Sequence, residues 1–283
     1  MVLLAVSAAL RRSLSSSPLA PGMRVLTLPA VTATGPAAGE IRLAFVDTDP
    51  DSSSMPVVLI HGSPGRSGVF RGLIPSVADR FRIIAPDLPG FGASTHALSD
   101  YSFRAHARYL IELFDALGIR KAQLVGFSMG GGVVLSMADI APGRVASIVM
   151  LSAIGVQEQE LLGSYRANHI LHGAQLAALW ALREGSPHFG LLDRVELNVE
   201  YARNFYDSDQ RPLRSILAKY QGPMLILHGR RDPLVPVAAA LEHHRLVPQS
   251  DLRILDDNHF MVFQRPEVIA PPLCDFLQRH STD

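Results

Sequence analysis

Eight short apolar runs punctuate the chain, and apolar positions between most of them recur with helical spacing. Arg24–Leu28 and Ile41–Val46 come first and read as strands, with Gly35 and Pro36 between them. Pro56–Ile60, Phe81–Ala85, Ala122–Val125, Val145–Leu151, Met224–Leu227 and Leu252–Leu255 follow. Several of these are apolar throughout rather than at alternate positions, as strands covered on both faces are. Val69–Arg80, Tyr101–Leu117, Gly132–Ile140 and a final stretch from Pro266 to Arg279 carry helical spacing. In Tyr101–Leu117 the residues Phe103, Ala107, Leu110, Phe114 and Leu117 share one side and Arg104, Arg108, Glu112 and Asp115 the other. Gly118 then stands where a helix-ending glycine belongs. Strand and helix in alternation predict right-handed crossovers, hence an α/β fold with a mostly parallel eight-stranded sheet flanked by helices.

The alternation breaks once. From residue 157 to 221 only helical patterns appear: Glu160–Tyr165, Ile170–Arg183, Asn198–Phe205 and Leu213–Tyr220. An all-helical insertion after the sixth strand predicts a cap over the carboxyl ends of the strands, where open α/β sheets bind ligands. The predicted organisation is a flexible leader over residues 1–22, a core of residues 23–156 and 222–283, and a cap of residues 157–221. Within the cap, Leu161, Leu162, Leu171, Leu176, Leu179, Trp180 and Leu182 are expected to pack onto the core, a few facing a pocket. Contact of this apolar face with a membrane surface is the alternative. Arg166, Arg183, Arg194 and Arg203 read as a solvated face, with a carboxylate site as the other possibility.

At the N-terminus Val2–Leu10 is apolar, but Arg11 and Arg12 follow it, the reverse of a secretory signal. No run reaches the ~18 apolar residues that a bilayer span requires. Ser13–Pro21 reads as leader, with Met23 as an alternative start, and the expected setting is soluble and cytoplasmic. Lys plus Arg equals Asp plus Glu at 26 each, so no global field draws in nucleic acid. The single cysteine, Cys274, excludes an internal disulfide and sits among Leu273, Phe276 and Leu277 as a buried thiol would. No phosphate loop, dinucleotide fingerprint or metal-ligand cluster is present, so no cofactor is expected. The oligomeric state is not legible.

The chemistry centres on Gly126-Phe127-Ser128-Met129-Gly130. A G-x-S-x-G pattern alone arises by chance in roughly one chain in ten of this length. Here it follows a buried strand and opens a helix, the context in which a serine is forced onto a strained turn with its hydroxyl exposed. Side chains at Gly126 and Gly130 would crowd such a turn. A serine hydroxyl needs a base held by a third group. Asp232 lies in the loop past Met224–Leu227, and His259 lies after the last strand and before the final helix. Ser128, His259 and Asp232 are therefore the candidate nucleophile, base and orienting acid, against plainer readings as a helix cap, a loop histidine and a turn aspartate. The amides of Met129 and Ser63, the latter in His61-Gly62-Ser63-Pro64-Gly65, are the candidate oxyanion-hole donors. Among the other histidines, His228 reads as structural and His243 and His244 as solvated. His169, His172 and His188 are cap residues with a possible place in the pocket.

The His61–Gly65 loop, Asp87-Leu88-Pro89-Gly90-Phe91-Gly92-Ala93-Ser94, Gly126–Gly131, Asp232 and His259 in this order resemble the capped α/β-hydrolase superfamily. The resemblance is greatest to its small bacterial carboxylesterases and meta-cleavage-product hydrolases, and runs from about residue 24 to the C-terminus. Haloalkane dehalogenases and epoxide hydrolases carry aspartate where Ser128 stands. The carbon–carbon hydrolases usually have one more glycine in the oxyanion loop. The resemblance thus implies cleavage of small to medium hydrophobic esters, the small-molecule partner, through an acyl-serine. A carbon–carbon hydrolase or thioesterase with the same residues is the first alternative, and a non-catalytic small-molecule receptor the second.

Overall fold

The computed structural model describes residues 2–4, 6–8, 18–192 and 197–281; residues 9–17 of the expected leader and Arg194 lie outside the described residues. Eight strands form one sheet: β1 (Met23–Thr32), β2 (Gly35–Asp47), β3 (Val57–Ile60), β4 (Ile83–Pro86), β5 (Ala122–Phe127), β6 (Val145–Leu151), β7 (Met224–Gly229) and β8 (Asp251–Leu255). Their spatial order is β1-β2-β4-β3-β5-β6-β7-β8. β2 runs antiparallel to both neighbours, and every pairing from β4 to β8 is parallel.

The apolar runs have no polar alternation because both faces are covered. Val58, Ile60, Leu124, Ile148, Met150 and Ile226 belong to one buried cluster, and Val57, Leu59, Val125, Val149, Leu151 and Leu227 to the other. One face is covered by α2 (Phe103–Ala116) and α3 (Gly130–Ile140), together with α7 (Val237–Leu246); the other by α1 (Ile74–Ala78), α8 (Met261–Gln264) and α9 (Pro266–Arg279). Cys274 is buried in the second cluster. The helix expected over Val69–Arg80 is divided into a 3-10 turn, Ser67–Phe70, and α1. Pro75 accounts for the division: in a continuous helix its ring would meet the carbonyl of Arg71.

Between β6 and β7 the described residues carry a 3-10 turn, Gln157–Gln159, then α4 (Tyr165–Gly185), α5 (Val199–Asp207) and α6 (Arg211–Lys219). The expected helix Glu160–Tyr165 does not form; Gly163 has φ of +65°, and α4 starts after it. The insertion is tied to the core through Asn204, whose amide donates to the Tyr101 carbonyl at 2.9 Å and lies 3.2 Å from His106 Nε2. Arg203 adds bonds to the Leu98 and Ser99 carbonyls.

The insertion's apolar residues do not pack as expected. Leu161 is 72% and Trp180 55% exposed, and Leu162, Leu171 and Leu182 are exposed as well. Of the seven residues expected to pack the cap, only Leu176 and Leu179 are half-buried, whereas Leu213 and Leu217 of α6 are buried in the core. Arg183 pairs with Glu200 and Arg203 with Asp207, so these two arginines are neither a bare solvated face nor an open carboxylate site. No helix among the described residues is long and apolar enough to cross a membrane.

Candidate active site

Ser128 stands between the end of β5 and the start of α3 with φ of +53°. A non-glycine residue in the left-handed region is uncommon and persists only where its surroundings hold it. Three backbone bonds do so. The Ser128 amide donates to the Leu151 carbonyl at 3.1 Å, and its own carbonyl accepts from Gly131 at 3.0 Å and Ile154 at 3.1 Å. The flanking glycines are steric requirements: a Cβ on Gly126 would lie 2.6 Å from the Gly130 carbonyl oxygen, and one on Gly130 would strike the Ile60 carbonyl.

Asp232 and His259 come from the loops after β7 and β8 and meet. His259 Nδ1 lies 2.8 Å from Asp232 Oδ2, with both side chains buried. The carboxylate can only accept, so Nδ1 carries the proton and Nε2 is left as the accepting nitrogen. Asp232 Oδ1 accepts from the amides of Leu234 at 2.9 Å and Val235 at 2.8 Å. Burial alone would raise the Asp232 pKa; the His259 hydrogen bond, its charge and these amides outweigh burial and hold the carboxyl below its ordinary value. His228 braces the same loop, its Nε2 donating to the Val235 carbonyl at 2.9 Å and lying 3.6 Å from Asp232 Oδ2. Burial lowers its pKa. The Phe127 ring packs against His259 with centroids 5.0 Å apart.

The His61–Gly65 loop sits directly on Ser128. A Cβ placed on Gly62 would come within 2.8 Å of Ser128 Cβ and 3.3 Å of its Oγ. His61, fully buried, positions the loop. The Leu88 amide donates to its Nε2 at 3.0 Å, so Nδ1 bears the hydrogen and donates to the Gly62 carbonyl at 2.7 Å. Burial depresses its pKa, which keeps this tautomer neutral. Neither the Ser63 nor the Met129 amide meets an acceptor among the described residues, and the Ser63–Pro64 peptide is cis.

Asp87 was legible in the sequence only as part of a motif, without a role. Its Oδ1 accepts from the Ser67 amide at 2.7 Å and the Ser67 hydroxyl at 2.6 Å, while Oδ2 accepts from Ala93 at 2.8 Å. One carboxylate thus ties the segment after the His61–Gly65 loop to the segment after β4. The available signal was an acid at a strand end with two glycines close behind.

Other expected placements change. His243 is fully buried, not solvated, because α7 turns it against Gly155, and burial lowers its pKa to about 3. His169 stacks on Tyr206 at 4.2 Å, and His172 faces Glu160 at 3.4 Å. The cavity that holds Ser128 and His259 has a volume of about 900 Å³, and none of the described residues of the insertion lines it. Its walls come from the Gly62–Gly65 loop and the residues after it, from Leu234, Phe260 and Phe263, and from Pro18, Ala20, Pro21 and Met23. No group of three His, Cys, Asp or Glu side chains able to hold a metal occurs among the described residues.

Comparison with known proteins agrees with this architecture. The family model for the alpha/beta hydrolase fold matches residues 55–170. A 2-hydroxymuconate semialdehyde hydrolase of Pseudomonas putida is 30% identical over 252 residues, covering 78% of this chain and 86% of that protein. The chain belongs to the α/β-hydrolase family. This α/β-hydrolase is also 30% identical over 243 residues to a Pseudomonas putida dihydrolipoyllysine-residue acetyltransferase component of an acetoin cleaving system, covering 80% of the chain but 64% of that longer protein. Among solved structures, a thermophilic esterase from Thermogutta terrifontis aligns with a TM-score of 0.76 at 22% identity, over 92% of this chain and 100% of that one. At that identity the likeness concerns the fold.

Proposed function

We propose that this α/β-hydrolase cleaves carboxylic esters of small to medium hydrophobic acyl groups, with Ser128 as nucleophile, His259 as general base and Asp232 as orienting acid. The observation that carries the reading is the 2.8 Å bond from His259 Nδ1 to Asp232, which leaves Nε2 as acceptor in the cavity that also holds the strained Ser128.

In this reading Ser128 Oγ attacks the ester carbonyl carbon while its proton passes to His259 Nε2. The new oxyanion accepts from the Ser63 and Met129 amides, donors worth about 3–4 kcal/mol of barrier each in comparable sites. The C–O bond breaks and His259 gives the proton to the departing alcohol, leaving acyl-Ser128. Water, deprotonated by His259, then attacks the acyl carbon, and Ser128 regains its proton as the acid leaves. Asp232 stays ionised throughout and steadies the imidazolium. The test is turnover of p-nitrophenyl esters from acetate to palmitate by wild type and Ser128→Ala. The expected result is turnover with a short-chain optimum, lost by at least a thousandfold in the variant; equal rates would refute it.

The 30% identity to the 2-hydroxymuconate semialdehyde hydrolase favours a second reading, carbon–carbon cleavage by the same residues. A ring-fission dienoate turned over faster than every ester in the series would establish it.

A further inference from the structure

We infer that Pro18, Ala20 and Pro21 of the expected leader, with Met23 at the start of the core, form a wall of the substrate groove and set the length of linear aliphatic acyl chain that the site accepts. The inference rests on the ester-hydrolase reading for the identity of the bond cleaved, but not for the shape of the groove. Pro18, Ala20, Pro21 and Met23 line the cavity that contains Ser128 and His259. Their placement is held by the fold. Met23 opens β1 and pairs with Val46, itself a cavity residue, and the Met23 amide closes a turn onto the Ala20 carbonyl at 3.1 Å, with Gly22 at φ of +82° inside it. That turn sends residues 18–21 along the cavity rather than away from the sheet edge.

The chemistry of this wall suits a hydrocarbon chain. Pro18 and Pro21 have no amide hydrogen, so the stretch lies beside an apolar ligand with few donors to satisfy. Val69 and Ile74 add apolar lining to the same cavity. Arg66 and Arg71 belong to the same lining and are exposed. The described residues of the helical insertion are not among those that line it. Each further methylene buried adds roughly fourfold in binding, at ~0.8 kcal/mol per group.

The experiment uses the full chain with Ala20→Trp, which projects an indole into the groove, and Leu19→Ser as control. Leu19 is exposed and does not line the cavity, and Ala20 is exposed, so neither change threatens folding. Two readouts are taken: the ratio of kcat/KM for p-nitrophenyl decanoate to acetate, and decanoate affinity by calorimetry, which needs no turnover. The expected result is a fall of at least tenfold in both for Ala20→Trp, with Leu19→Ser unchanged. If wild type turns over no ester while Ala20→Trp still weakens decanoate tenfold, the ester reading fails and the wall stands. Both quantities within twofold of wild type in Ala20→Trp, or an equal effect from Leu19→Ser, would overturn the inference.

Discussion

Gly62→Ala tests the proposed oxyanion role of the His61–Gly65 loop by geometry. The added Cβ would lie 2.8 Å from Ser128 Cβ, 3.3 Å from Ser128 Oγ and 3.4 Å from Phe127 Cδ1. Carbon atoms rest at about 3.5–4.0 Å, so the shortfall against Ser128 Cβ is about 0.7 Å or more. Ser128 cannot yield cheaply, because Leu151, Gly131 and Ile154 hold its backbone. The loop must therefore lift, carrying the Ser63 amide with it and loosening the bond from His61 Nδ1 to the Gly62 carbonyl. Removing one oxyanion donor costs about 10²–10³ in kcat, and overpacking of this kind costs about 1–3 kcal/mol in stability. The assay is kcat and KM on p-nitrophenyl acetate, with urea unfolding in parallel. We expect kcat to fall about a hundredfold or more with KM changed far less, in a protein that still unfolds cooperatively. A variant that keeps kcat within threefold would refute the reasoning, since the loop would then have moved without consequence for the reaction.

Asp232→Asn places a donor opposite the donating Nδ1 of His259, and kcat should fall by about 10⁴ as the imidazole tautomer is reversed. The same substitution carries a pH signature. The folded pKa of Asp232 is depressed, so its stabilising contribution is complete above the unfolded value, about 3.9, and is lost as pH falls through the lower folded value. The gap in urea midpoint between wild type and Asp232→Asn should stay constant from pH 7 to about 5 and narrow only below about 4; narrowing between pH 7 and 5 would contradict the assignment. Asp47 accepts from the largely buried Arg82 at 3.0 and 2.8 Å through Nε and Nη2, and Asp47→Ala should cost about 3–5 kcal/mol by urea unfolding with little change in KM. Asn204→Ala removes the bond to the Tyr101 carbonyl, and the insertion should then be cut faster by limited proteolysis, with a stability loss of about 1 kcal/mol.

The chain's own pattern sufficed for the order of the strands and most helices and for the insertion after β6, and it singled out as candidates Asp232 and His259, which the fold brings into contact, and Ser128, which shares a cavity with His259. The reason is that these features are written locally. An apolar run without alternation reports burial on both faces, and a reacting group in an open α/β sheet must stand at a strand's carboxyl end. What a residue packs against is not local, and there the tertiary structure decided. The insertion's leucines look like core at helical spacing, yet most of them face outward, because spacing reports which residues share a side and not whether anything covers that side. His243 lies in a segment that reads as polar and is buried, since α7 presents it to Gly155, nearly ninety residues earlier in the chain. Asp87 and His61 gain their roles from amides at Ser67, Ala93 and Leu88, which only the folded sheet brings together. The cavity wall at residues 18–23 has the same origin: Pro18, Ala20 and Pro21 carry no signal of a site, and the pairing of Met23 with Val46 delivers them to one.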